Sequence, residues 1–198
     1  MSATFTVDYF CSLDGYGMAQ GWPGYWGKEG PEVRQDRVQT FAQDQVLVFG
    51  ATTFRQFREF VGKFDEPYFD SLTELPKLVF SSTLQEPGWH NSTILNEDAV
   101  TAVERLKRTT DVPMRSHGSV SLNRALLAAG LVDRLEILMF PAVSGRAGRA
   151  ALFRDGAEFD LELVESTVLD GRTHKLVYIP HLHGEIPAGA GPRLRTAG

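Results

Sequence analysis

Gly118 and Ser119 stand between the strand-like run Met114–His117 and a helix-forming stretch that starts at Val120 and stops at Gly130, before a second strand-like run. A small-residue turn that opens directly into a helix leaves backbone N–H groups unpaired. The partial positive charge of the helix start then favours an anion such as a phosphate. A phosphorylated ligand, a nucleotide in the first instance, is the expected occupant. Two further turns repeat the pattern. Gln45–Phe49 is a continuous apolar run that passes through Gly50, Ala51, Thr52 and Thr53 into a helix face of Phe54, Phe57 and Phe60. Thr52 or Thr53 is expected to cap that helix, and the same hydroxyls and amides suit a phosphate. Lys77–Phe80 ends in Ser81, Ser82 and Thr83. In open α/β sheets, ligands collect outside the carboxyl ends of the strands, so the three turns are expected to converge on one cleft.

Other residues offer chemistry of their own, each with a plainer alternative. Asp14 closes the first strand and is the candidate proton donor or substrate contact, against a simple turn-forming Asp-Gly pair. Residues 15–30 hold six glycines together with Tyr16, Trp22, Tyr25 and Trp26. This combination suits a mobile lid over a flat ligand, with Trp22 and Trp26 stacking on it, or else an Ω-loop whose aromatics cover the core. His117 is placed to touch a cofactor ribose or phosphate, or to be satisfied by backbone. Arg146 and Arg149, in a glycine-rich loop, suit a substrate phosphate or plain solvent. His181 and His183 read as solvated. Cys11 is the only cysteine, so no internal disulfide forms, and no Cys/His spacing for a metal is present.

These residues need a sheet and helices to position them. The chain has 198 residues, is 42% hydrophobic and carries a net charge of −5. A chain of that length hides roughly 70% of its unfolded surface as one domain. The acidic balance, without a Lys/Arg block, argues against nucleic acid. No apolar stretch suits a membrane, and the start is not a secretory leader, so a cytoplasmic protein is expected. Phe5, Val7, Tyr9 and Cys11 alternate as in a strand, Glu32–Ala42 reads as a helix, and 63–76 reads as an irregular acidic connection. Thr93–Leu95 is a short strand, and Asn96–Lys107 is a capped amphipathic helix. Arg134–Phe140 is a strand, and Leu161–Leu169 and Thr173–Ile179 flank the hairpin pair Asp170-Gly171. One domain over 1–183 and a disordered tail over 184–198 are expected.

The ordered set Ser12-Leu13-Asp14-Gly15-Tyr16, Val48–Phe54, Phe80–Leu84, His117-Gly118-Ser119, Leu126–Asp133, Phe140–Gly145 and Leu152-Phe153 resembles the reductase domain of the bacterial bifunctional riboflavin-biosynthesis deaminase-reductase. The resemblance implies a dihydrofolate-reductase-like three-layer α/β/α fold, whose central sheet is mixed, mostly parallel, and ends in an antiparallel hairpin. It implies NADPH as cofactor. The adenosine-side phosphates would meet Gly50, Ala51, Thr52, Thr53, Ser81, Ser82 and Thr83, and the pyrophosphate and nicotinamide side would meet His117, Gly118, Ser119, Val120 and Leu122. It implies a homodimer and a hydride transferred to a small heterocyclic or ribosylaminopyrimidine substrate. Two departures stand out. Val120 replaces a usual glycine, which raises the question of a backbone that needs positive φ. No His-x-Glu with Pro-Cys-x-x-Cys is present, so the zinc deaminase half is missing. A dihydrofolate or pterin reductase, with Glu32 or Asp36 as the pteridine acid, and a nucleotide-binding module without turnover are the alternatives.

Overall fold

A computed structural model of the chain describes residues 2–21, 25 and 27–183. Its strands are β1 (Phe5–Ser12), β2 (Tyr16–Ala19), β3 (Val46–Gly50), β4 (Lys77–Phe80), β5 (Ser92–Leu95), β6 (Met114–His117), β7 (Arg134–Phe140), β8 (Gly148–Ala151), β9 (Phe159–Leu169) and β10 (Thr173–Leu182). Its helices are α1 (Pro31–Phe41), α2 (Ala51–Val61), α3 (Phe69–Glu74), α4 (Ala99–Thr109) and α5 (Val120–Ala128). Eight strands form one sheet in the order β5-β4-β3-β6-β1-β7-β10-β9. The first six run parallel, and β10 and β9 complete the sheet as the antiparallel hairpin that Asp170-Gly171 predicts. Both turn residues have positive φ, 52° and 63°, as a tight right-twisted hairpin requires.

The sheet is covered on both faces, which is why β3 is a continuous apolar run. On one face Phe5, Val7, Tyr9 and Cys11 of β1 join Val103 of α4 and Leu122, Leu126 and Leu127 of α5. There, burial together with the Asp14 charge pushes the Cys11 thiol up to about 12. On the other face Phe10, Phe49 and Val79 meet the apolar sides of α1, α2 and α3. Layers of helix, sheet and helix result. Asp8, also on β1, is wholly buried.

Four local expectations are corrected. The 63–76 connection contains α3, because Phe69 and Leu72 bury one side of a short helix. Gly50, not Thr52 or Thr53, is the N-cap of α2. Asp98, not Asn96, caps α4, accepting from Thr101 N at 2.9 Å. Part of the glycine-rich loop is β2, paired antiparallel with β8, so the stretch around Arg146 and Arg149 is a 3-10 turn (Gly145–Ala147) leading into a strand. The 184–198 tail lies outside the described residues.

The start of α1 is fixed from the other end of the chain. Asp170 accepts from Glu32 N at 2.9 Å and from Val33 N at 3.2 Å, while the Glu32 carboxylate accepts from Asp170 N. The hairpin turn thus supplies the cap that the N-cap residue Gly30 lacks. A Cβ on Gly30 would lie 2.2 Å from Asp170 Cγ, so the close approach requires glycine there.

Glu29, one residue earlier, is 5% exposed, and one of its oxygens has no partner among the described residues. Burial, helped by the neighbouring Glu66 charge and opposed by Arg34 and Arg37, raises its pKa to about 7. A carboxyl raised in the folded state contributes stability below its unfolded value of about 4.3 and loses it as pH rises through the folded value. Stability is expected to fall by roughly 3 kcal/mol between pH 4 and pH 8 from this group, and Glu29→Gln is expected to remove that fall. Urea midpoints measured across this range check it; parallel profiles for the two proteins would contradict it.

Candidate functional site

β3 and β6 are neighbours, and each runs from its carboxyl end straight into a helix. The N-caps are Gly50 and Ser119, and neither helix has a side-chain cap. The two turns are tied together: Gly50 N donates to Ser119 Oγ at 2.9 Å, and Ser119 N donates to Thr53 Oγ1 at 3.0 Å. The first-turn amides of α2 and α5 have no acceptor inside their own helices. Ala51, Thr52, Thr53, Val120, Ser121 and Leu122, which carry those amides, all line one cavity of about 630 Å³. Tyr9, Phe10, Phe57 and Phe60 add aromatic walls, and Gly17, Met18 and Leu152 close another side. Two helix N-termini aimed into one cavity suit a doubly charged anion, and the aromatic walls suit flat rings.

The positive φ values in the β6 turn fall on Gly118 (78°) and Ser119 (58°). Val120 is the first residue of α5, so a side chain there costs the turn nothing. The glycine the turn requires is Gly118, where a Cβ would also meet Thr53 Cγ2 at 3.1 Å.

The cavity gathers Gly50, Ala51, Thr52, Thr53, His117, Gly118, Ser119, Val120 and Leu122. Ser81, Ser82 and Thr83 lie at the end of β4 beside it but do not line it, so two of the three turns build the cavity. Ser81 Oγ instead accepts from Thr83 N and Leu84 N at 3.2 and 2.9 Å. Asp14 also lies outside the lining. Its carboxylate accepts from Ser12 Oγ at 2.6 Å, Ser144 N at 3.0 Å and Gly145 N at 2.7 Å, and these bonds, Ser12 first, bring its pKa down to about 2. It has no proton to give near neutral pH and holds the turn after β7. Trp22 and Trp26 lie outside the described residues. Tyr25 is buried and stacked on Phe140 at 5.8 Å, as an Ω-loop would place it, while Gly17 and Met18 reach the cavity as a lid would. Arg146 and Arg149 are outside the lining.

Sequence reasoning missed the charges beneath this site. Arg37, wholly buried on α1, reaches Asp8 at 2.6 Å, Asp36 at 2.5 Å and Glu136 at 2.7 Å. Arg115 bridges Asp8 and Glu136 at 2.9 and 3.2 Å, and Lys175 reaches Asp36 at 2.6 Å. Burial alone would raise the Asp8 pKa, but Arg37, His117 and Arg115 together hold it well below the usual range. Burial opposes the Lys175 charge, and Glu136 and Asp36 outweigh it, so its pKa is raised. The signal lay in the register: Asp8 and Glu136 each interrupt an apolar strand, and they pair across β1 and β7.

A cavity built from two strand-to-helix turns at the carboxyl edge of a mostly parallel sheet, with an antiparallel hairpin completing it, belongs to an α/β fold of the dihydrofolate reductase kind. Residues 3–175 match the family described as the RibD C-terminal domain, and the chain belongs to that family. Among curated proteins no sequence matches it. A putative riboflavin biosynthesis protein from Shewanella sp. PV-4 is similar in structure, with a TM-score of 0.72 at 21% identity over 91% of this chain and 99% of that one. RibD of Acinetobacter baumannii gives 0.66 at 15% identity over 90% of this chain and 58% of that longer one. Dihydrofolate reductase from Enterococcus faecalis, solved with NADP(H), gives 0.59 at 15% identity over 91% and 99%.

Replacing Arg37 strands the buried carboxylates Asp8 and Glu136 without their main counter-charge. Arg37→Met is expected to lose about 3–5 kcal/mol of stability, read as a lower urea midpoint at pH 7; an unchanged midpoint would show that Arg115 and Lys175 suffice.

Proposed function

We propose that this protein is an NADPH-dependent reductase that delivers a hydride to a ribosylaminopyrimidine of the 5-amino-6-(5-phosphoribosylamino)uracil type, a reaction of riboflavin biosynthesis. The carrying observation is the pair of uncapped helix starts, α2 and α5, opening on one cavity beside aromatic walls. In this reading the amides of Ala51–Thr53 and Val120–Leu122 hold the cofactor's phosphates, while Gly118 lets the backbone approach them closely. His117 and Ser119 border the nicotinamide side, and Ser81, Ser82 and Thr83 meet the adenosine end where it leaves the cavity. The bound nicotinamide supplies the hydride. The protein's part is to bind, to orient the two reactants and to keep water out. A reductase domain over 1–183 acting in the cytoplasm fits this chemistry.

The folate reading finds no support in the site. Glu32 is engaged by the Asp170 turn and Asp36 by Arg37 and Lys175, and neither lines the cavity. The binding module without turnover drew its case from Val120, whose ordinary helical position removes it.

A homodimer is part of the proposal. β9 is the last strand of the sheet, and Leu161, Leu163, Val164 and Val168 on it are 40–55% exposed, an apolar edge that a second copy would cover. Sedimentation is expected to give a dimer that Leu163→Lys with Val168→Lys turns into a monomer; a monomeric native protein would refute this part.

Fluorescence titration is expected to show NADPH binding that Gly118→Val weakens by about tenfold or more, since a strained backbone costs about 1–3 kcal/mol. Ser82→Ala reports whether the cofactor reaches the β4 turn, with a threefold loss or more expected. No binding of NADPH or NADH by the native protein would overturn the reductase reading.

A further inference from the structure

His117 is a titratable cavity residue that reaches the buried charge cluster. It ends β6, opposite Asp8 in the parallel register of β1 and β6. Its Nδ1 lies 3.2 Å from Asp8 Oδ2, the oxygen that also takes Arg37 and Arg115. Phe10, Phe57 and Phe41 meet its ring edge-on, at 5.0, 5.1 and 6.1 Å between centroids, so the ring has little freedom to turn. It is 7% exposed and lines the cavity. Nδ1 faces Asp8 at ion-pair distance with no hydrogen bond formed between them, and Nε2 is the nitrogen left for a ligand. Asp14, the acid that the chain pattern offers for proton transfer, is ionised and used up in its turn.

We propose that His117 is the proton donor of the reduction and that Asp8 is the positioning residue that fixes its tautomer. The proposal rests on the reductase reading above and deepens it. Turning a ribosylamino group into a ribitylamino group places hydride on C1′ and breaks the C1′–O4′ bond, whose electron pair stays on O4′ and requires a proton. Nε2–H of the imidazolium gives that proton, the ring is left neutral, and water at the cavity mouth recharges it. Asp8 keeps the remaining proton on Nδ1, as a carboxylate does for a histidine whose other nitrogen exchanges protons. The charged groups around the ring are Asp8 on β1, Arg115 on β6, Glu136 on β7 and Arg37 on α1, with Asp36 and Lys175 one step further. The three cations among them match the three carboxylates in number.

The test uses the full chain with NADPH and 5-amino-6-(5-phosphoribosylamino)uracil as acceptor. At saturating NADPH, His117→Gln is expected to lose about 100-fold or more in kcat and to lose the alkaline fall in kcat expected of the native enzyme. Asp8→Asn is expected to lose turnover in the same way; should it fail to fold, His117→Gln carries the kinetic test. A kcat within threefold for His117→Gln, or an unchanged alkaline limb, overturns the proposal. An independent arm needs no turnover. Nitrogen-15 NMR of the native protein with the ring neutral is expected to show the Nδ1–H tautomer, with Nε2 bare; the Nε2–H tautomer overturns the proposal. Native protein that binds NADPH yet does not oxidise it with this acceptor would refute the substrate assigned above, and the tautomer would then decide the dyad by itself.

Discussion

Arg37 is the constraint on which the remainder depends. A guanidinium with no exposure can exist only where several carboxylates meet it, and Asp8, Asp36 and Glu136 do so from three elements at once. The desolvation cost is high, and good geometry is needed to offset it. That geometry exists only when β1 and β7 are in register and α1 lies at one height and rotation on the sheet. An apolar contact would tolerate sliding, whereas a set of hydrogen-bonded charges does not. The cluster therefore fixes the helix against the strands whose ends carry the cavity, and through Asp8 it reaches the cavity wall itself.

The cavity turns are a second case of groups that satisfy one another. Ser119 accepts from Gly50 and donates to Thr53, so the β3 and β6 turns hold a fixed separation. The amides left over are those of the helix starts. Preorganisation of this kind reduces what a ligand must spend to order its site.

Much of the fold could be read in the chain because its local signals agree with its global arrangement. The apolar run closed by Gly50 and the short strand closed by His117-Gly118 are buried parallel strands, and Asp170-Gly171 is a tight hairpin turn. The β6–α5 unit and the cavity-lining residues around it were legible for the same reason: glycine and small residues at a strand end have few other uses. The charged cluster was not, because α1 has an arginine in the place of a core residue, and a pattern of apolar positions does not mark a charged one as buried. Thr52 and Thr53 misled because hydroxyls just before an apolar helix face resemble caps, yet β3 enters α2 without an intervening residue. Asp14 misled because an acid at a strand end reads equally as a turn residue, and only the amides of Ser144 and Gly145, some 130 positions away, decide between the two.

The Asp170 clamp on α1 bears on how the chain is made. β1, which emerges first, ends up between β6 and β7, and the first helix receives its cap from a turn 138 positions later. During synthesis the amino-terminal third therefore leaves the ribosome with its central strand unflanked and its helix open at the start. Such a high separation of contacts slows folding and delays it until the last hairpin is available. The fold closes on itself only when the β9–β10 hairpin arrives, so that hairpin serves as the latch of a fold that its earlier elements cannot complete.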